Sequence, residues 1–407
     1  MKPLDLQAVR AASRVLFLTV FIDLMGFGIV VPVLAFSAKT YGADGATLGM
    51  ILGSFSLMQF LFSPLWGRLS DRIGRRPVIM ASLLGNVIGF CTFAFASNVA
   101  MLFASRIISG IAAASISTAQ AYVADSTDEA NRSKGMALIG MAFGLGLVLG
   151  PPIGGILSSL GTGMKVSPNL LPGVAAATLS GMAFLIAITS LPESLVGTSD
   201  RPAGSWSMID NESWKIFFRM PGLRLAGGSL AVLMFTLASL APILVLVGRD
   251  RFGLSARQVG YLFGLMGVVV VTLQALVVDP LTRRIGDIGA GIAGAACLML
   301  GLLVVPLTRD VGVLIAATCL MGVGQGLCNP TLSAYISKIA PPSHRGGVLG
   351  VSSALTALAR VLGPAMAGFA YDALKTPGAL FSQAAVVTIG IAFSLRARGG
   401  AREPRLL

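Results

Sequence analysis

The stretch Gly67-Arg-Leu-Ser-Asp71-Arg-Ile-Gly74-Arg-Arg76 lies between two apolar runs, residues 47–66 and 77–96. Each run has about 20 residues, the length an α-helix needs to cross the hydrocarbon core of a bilayer. A short polar segment with four arginines, one acid and two glycines therefore joins two membrane-length helices. The glycines permit a tight reversal. Asp71 stands where it can face helix N-terminal amides, and the arginines mark the membrane face that retains positive charge. About 212 residues later, Asp279-Pro-Leu-Thr-Arg283-Arg-Ile-Gly286-Asp287 sits between the apolar runs 259–278 and 288–307.

Other landmarks repeat with the same offset. Gly150-Pro151-x-x-Gly154-Gly155 returns as Gly363-Pro364-x-x-Ala367-Gly368, and Tyr122 returns as Tyr335. Further apolar runs cover 15–36, 100–124, 135–157, 173–191, 223–247, 311–336, 347–370 and 378–395. The pattern predicts an all-α membrane protein with twelve transmembrane helices in two pseudo-symmetric six-helix bundles, the layout of a transporter built from parallel repeats. The expected organisation is a tail over 1–14, one bundle over 15–191, a central polar loop over 192–222, a second bundle over 223–395 and a basic tail over 396–407. The apolar run after the first tail is too long for a signal peptide.

Composition agrees. The chain has 407 residues, 55% apolar and only 12% charged, about half the charge of a soluble domain. That balance excludes a soluble enzyme, a disordered chain and a secreted disulfide scaffold. The cysteines, Cys91, Cys297, Cys319 and Cys328, lie in apolar runs without metal-ligand spacing, and the single histidine, His344, falls in a loop. No phosphate-binding G-x-x-x-x-G-K-[ST] run occurs, so the work must come from an ion gradient or the substrate's own gradient.

The formal net charge of +13 follows from the distribution of 30 Lys+Arg. With a cytoplasmic N-terminus, 21 fall in cytoplasmic segments and seven on the opposite side, while Arg106 and Arg360 lie inside spans. This asymmetry predicts both termini in the cytoplasm.

The Gly67–Asp71–Arg72–Gly74–Arg75–Arg76 pattern matches the signature of the major facilitator superfamily at every defining position, and the resemblance covers nearly the whole chain. It implies a cytoplasmic gate in which Asp71, Arg75 and Asp125 form a charge relay. Gly146-x-x-x-Gly150-Pro151-x-x-Gly154-Gly155 resembles the antiporter signature of the drug-efflux branch, with Ala137 where that signature begins with glycine. Physically, such glycines let helix backbones approach. Leu191-Pro192-Glu193 and the helix-eleven Arg360-x-x-Gly363-Pro364 point to the same twelve-helix drug–proton antiporters, which include tetracycline exporters. Those exporters carry additional intramembrane acids, one in the C-terminal half, which this chain lacks.

Charges inside spans each cost about 3 kcal/mol or more unless paired or hydrated, which makes them functional candidates. Asp23 lies in the first span and Arg106 in the fourth, and the resemblance implies that both face the central cavity. Arg360 has no assigned role. Burial favours neutral Asp23 and a nearby cation favours the ionised form, so a conformational change can make proton and substrate binding mutually exclusive. Gln59, Gln120, Gln325, Asn329 and Phe27 are candidates for the substrate path, with Asn86 and Gln274 as further polar groups in apolar runs.

The expected function is proton-coupled export of small lipophilic or cationic compounds by alternating access. Expected partners are a small-molecule substrate, protons and the lipid bilayer, with no nucleic acid, no metal and no cofactor beyond the proton gradient. The chain is expected to work as a monomer in a bacterial inner membrane. Two other readings stay open: a carrier of a metabolite, sugar, siderophore or metal chelate, and a non-transporting membrane scaffold. A membrane enzyme is disfavoured, because no nucleophile–base pair stands out.

Overall fold

The computed structural model describes residues 6–113, 118–119, 121–123, 129–194 and 211–400. The helices in chain order are α1 (Leu6–Thr40), α2 (Gly45–Ile73), α3 (Arg75–Ala94), α4 (Val99–Ala112), α5 (Glu129–Gly163), α6 (Leu170–Ser190), α7 (Asn211–Arg219), α8 (Pro221–Phe252), α9 (Ala256–Leu276), α10 (Val278–Val304), α11 (Val311–Ile339) and α12 (Arg345–Gly400). Ten of the described helices are long and apolar enough to cross a membrane, and α4 is a shorter apolar one. The 56 residues of α12 break at Lys375, where φ is 57°, so that element holds two membrane-length segments. The fourth span, expected over 100–124, is described to Ala112 and in pieces beyond it. Large apolar side chains such as Leu65, Ile88, Leu185, Leu300 and Phe369 are exposed, an exterior suited to lipid.

Several helices outrun their expected boundaries. α1 starts at Leu6, inside the stretch read as a tail, and α12 runs on to Gly400. Arginine is a good helix former, so basic flanks extend the helices that they punctuate. A larger difference concerns the signature segment. It forms the last turns of α2 and the first turn of α3, and Gly74 alone makes the reversal, with φ 102°. Gly67 lies inside α2, where an added Cβ would meet nothing within 4 Å, so it makes no turn.

The repeat is written into the backbone. Every described residue with positive φ has a partner about 211 residues away: Gly42 with Gly253, Gly74 with Gly286, and Lys165 with Lys375. Left-handed conformations cost most residues about 1–2 kcal/mol. Their recurrence, even at two lysines, shows the same chain path drawn twice.

The chain forms two compact units. The first comprises residues 1–43, 54–200 and 254–264; the second comprises 44–53, 201–253 and 265–407. Thus α2 begins in the second unit and continues in the first, and α9 does the reverse. In the first unit, α1 packs on α5 and α6, and α3 packs on α4 and α6. A core of Leu16, Val20, Ile22, Ile79, Leu83, Tyr122 and Ala183 fills the centre of that group. In the second unit, α8 lies along α12 and α10 lies along α11, stitched by Ser239 Oγ donating to the Gly363 carbonyl at 2.9 Å.

The glycines of α5 explain the tightness of its contact with α1. A Cβ at Gly146 would come 2.9 Å from Leu24 Cβ, one at Gly150 would come 2.7 Å from Gly28 Cα, and one at Gly154 would enter the Ile29 carbonyl. Gly155 faces the other way, toward the Ala256 carbonyl at 2.7 Å, and the Pro151 carbonyl lies 2.5 Å from a Cβ built on Gly260. Gly154→Ala is therefore expected to destabilise the protein by about 1–3 kcal/mol through overpacking, read as a lower thermal midpoint in detergent. An unchanged midpoint would show that α1 slides freely on α5.

Candidate functional site: a buried acid and a charged helix hinge

The glycine contact with α5 sets the position of the α1 segment that carries Asp23. Asp23 is 8% exposed, and Asn86 Nδ2 of α3 donates to its Oδ1. Asn86 is thus one hydrogen-bond partner that the fold brings to Asp23. Phe27, one turn after Asp23, packs against Phe55 of α2 with ring centroids 4.9 Å apart. Arg106 lies beyond Phe55, its guanidinium carbon 5.9 Å from the ring centroid. A Cβ at Gly110 would lie 2.6 Å from the Phe55 carbonyl, so this glycine allows α2 close to α4 and brings Phe55 beside Arg106. Arg106 is 1% exposed, and none of its guanidinium nitrogens has a hydrogen-bond partner among the described residues. Asp23, Phe27, Phe55, Asn86 and Arg106 all belong to the first unit.

Gln59 also lies there, half-buried and one turn beyond Phe55 on α2. Gln325 and Asn329 belong to the second unit; the former is half-buried on α11, and the latter is exposed and accepts from Ser333 Oγ at 3.4 Å. Gln274 and Arg360 are exposed, and Arg360 makes no ion pair among the described residues. Gln120 and Asp125 fall outside the described residues.

The hinge between α2 and α3 gathers the other charges. Arg75 Nη1 lies 2.6 Å from Asp71 Oδ1 and donates to Ser70 Oγ at 2.6 Å. Asp71 therefore pairs with Arg75 one turn on. The amides at the start of α3 are taken by Glu193, a residue that sequence reasoning left without a role. The Arg75 N–H donates to Glu193 Oε1 at 2.9 Å, and the Arg76 N–H donates to Oε2 at 3.1 Å. A carboxylate at a helix N-terminus satisfies orphan donors and meets the positive end of the macrodipole. A Cβ at residue 74 would strike this carboxylate, so Gly74 is needed for space as well as for its φ. Arg76 Nη2 donates to the Ile188 carbonyl at 2.5 Å, and Tyr122 Oη donates to the Pro192 carbonyl at 2.9 Å. The start of the central loop is thereby tied to both α3 and the end of the fourth span. Arg72 remains exposed.

In the second copy the charges are exchanged. Arg283 pairs with Asp279 at 2.9 Å, Asp287 pairs with Lys338 at 2.5 Å, and Gly286 has φ 77°. Glu193→Ala is expected to remove an N-terminal cap worth about 1 kcal/mol, with faster amide exchange over the first turn of α3. Glu193→Gln should recover part of it, since one acceptor oxygen stays. Equal exchange in all three proteins would mean that the cap is idle.

Membrane-length helices in a two-fold repeat, with ionisable groups buried among them, define a secondary membrane transporter. The chain belongs to the major facilitator superfamily: the model of that family matches residues 16–311 and 288–405. It is similar to the class C tetracycline resistance protein of Escherichia coli, 32% identical over 87% of this chain and 88% of that one. Multidrug resistance protein 2 of Bacillus subtilis (strain 168) is 28% identical, with 88% of each chain covered. Among solved structures, the human organic anion transporter MFSD10 has 25% identity and a TM-score of 0.67, covering 95% of this chain and 99% of that one. The protein is accordingly a multi-pass membrane transporter and not an enzyme.

Proposed function

We propose that the protein exports small lipophilic or cationic compounds in exchange for protons, with Asp23 as the proton-carrying group. The observation that supports this most directly is the buried Asp23 carboxylate held by Asn86. Among the acids of the described helices, Asp23 alone lies far from any helix end or kink. An ionised acid in that position is costly without partners, and the amide of Asn86, a proton and a cation on the cargo can each satisfy it. Binding of a proton and binding of a cationic cargo then exclude one another. Arg106 adds a fixed positive charge to the same unit, and a movement that changes its distance from Asp23 changes the proton affinity. Phe27 and Phe55 offer an aromatic surface for apolar cargo. Exclusive binding, alternating between the two membrane faces, is antiport.

The efflux relatives favour export. The excess of Lys and Arg on one side favours a bacterial inner membrane orientation with both termini in the cytoplasm. We read the active form as a monomer that uses no cofactor. The test uses inverted vesicles, a pH-sensitive dye and a panel of lipophilic amines and neutral compounds. Proton release on addition of a compound, absent from vesicles with Asp23→Asn, is the expected result. A panel that moves without any dye response would remove proton coupling.

A further inference from the structure

At the end of α2 opposite the Gly67–Arg76 hinge, a second acid sits on a helix N-terminus. Asp372 Oδ1 accepts from the Gly45 N–H at 2.8 Å and Oδ2 accepts from the Ala46 N–H at 2.7 Å. These residues all belong to the second unit. Below the carboxylate, α2 and α12 run backbone against backbone. A Cβ at Gly45 would come 2.8 Å from the Gly368 carbonyl, one at Gly53 would come 2.8 Å from the Val361 carbonyl, and one at Gly49 would enter the Pro364 carbonyl.

The same rail occurs once more, inside the first unit. Ala256, Gly260 and Gly264 of α9 follow Gly45, Gly49 and Gly53 by 211 residues, and Pro151 and Gly155 of α5 precede Pro364 and Gly368 by 213. The acid is not repeated, because the position 213 before Asp372 is Ser159. There the start of α9 is capped locally, the Ser255 N–H donating to Gln258 Oε1 at 2.9 Å. Close packing of the rail therefore does not require a carboxylate from the facing helix. The Asp372 clasp is also opposed: Asp44 Oδ1 already accepts from the Thr47 N–H at 2.8 Å in the same turn. Two carboxylates at one helix start repel each other, which offsets part of the hold that Asp372 gains from the two N–H groups.

We propose that Asp372 is a releasable clasp on α2, closed in this conformation and opened when α2 parts from α12 during transport. This rests on the alternating-access reading above. Parting at this end should be coupled to closure at the Gly67–Arg76 end of the same helix. The clasp is a positioning device and touches no cargo.

Hydrogen–deuterium exchange of the purified full chain tests it, with wild type, Asp372→Asn, Asp372→Ala and Gly368→Ala. Loss of the clasp should speed exchange over residues 45–53 by about fivefold, the factor of one lost cap, and should slow exchange over residues 67–76. Asp372→Asn should lie between Asp372→Ala and wild type, since the amide keeps one acceptor. Gly368→Ala, which wedges the rail but leaves the acid, should produce the same opposite-signed pair of changes. Faster exchange at both ends would mean a general loss of packing and would overturn the proposal, as would no change over 45–53. The comparison needs neither cargo nor gradient, so its failure is distinct from a failure of proton-coupled export.

Discussion

Asp23→Asn should leave a folded, membrane-inserted protein whose transport no longer responds to a pH gradient. Asparagine has nearly the volume of aspartate and keeps the carbonyl oxygen that accepts from Asn86 Nδ2. The glycine contact of α1 with α5 is untouched, so the thermal midpoint should shift by no more than one neutral hydrogen bond implies, about 1 kcal/mol. What disappears is the titratable oxygen. Dye-reported proton movement in vesicles should fall to the level of empty vesicles for every compound in the panel, while downhill movement of a neutral compound can persist. A variant that still exports against its gradient when a pH difference is imposed would place the proton site elsewhere. Restoring the acid through Asn86→Asp in the Asp23→Asn background provides a sharper check, because the carboxylate would return to the same hydrogen bond from the α3 side.

Arg106→Met should make the protein more stable and inactive at once. The guanidinium is 1% exposed, and its nitrogens have no acceptor among the described residues. Contact with the Phe55 ring at 5.9 Å returns only a fraction of the lost hydration. Replacing a buried charge with an apolar side chain of similar reach is often neutral or stabilising, by about 1–4 kcal/mol where it stabilises. An increase of the thermal midpoint in detergent is therefore expected, together with loss of proton-coupled transport, because the fixed charge that biases Asp23 is gone. A midpoint that falls instead would mean that Arg106 finds strong acceptors in the protein as it works. Stability gained where function is lost marks a group kept for its activity.

Much of this molecule is local information. A run of about 20 apolar residues is a helix long enough to span a membrane wherever it packs. The spans, the repeat offset, the charge asymmetry and the family signature therefore all stand in the sequence. So does the rarity of Asp23 and Arg106, because an ionisable residue inside an apolar run is costly in lipid unless packing pairs or hydrates it. Even the positive-φ reversal at Gly74 was foreshadowed by its residue type. The partners were not. Asn86 reaches Asp23 across 63 positions, Glu193 reaches the α3 amides across more than a hundred, and Asp372 reaches Gly45 across more than three hundred. The sequence placed Asp71 near helix N-terminal amides without saying which, and the last turn of α2 pairs it with Arg75. Likewise, α2 and α9 each divide between the two compact units, although each carries a single apolar run. Helix formation is decided by neighbours along the chain. Which polar groups meet is decided by how each helix is rotated and how deeply it sits, and those two quantities exist only once the backbones have packed.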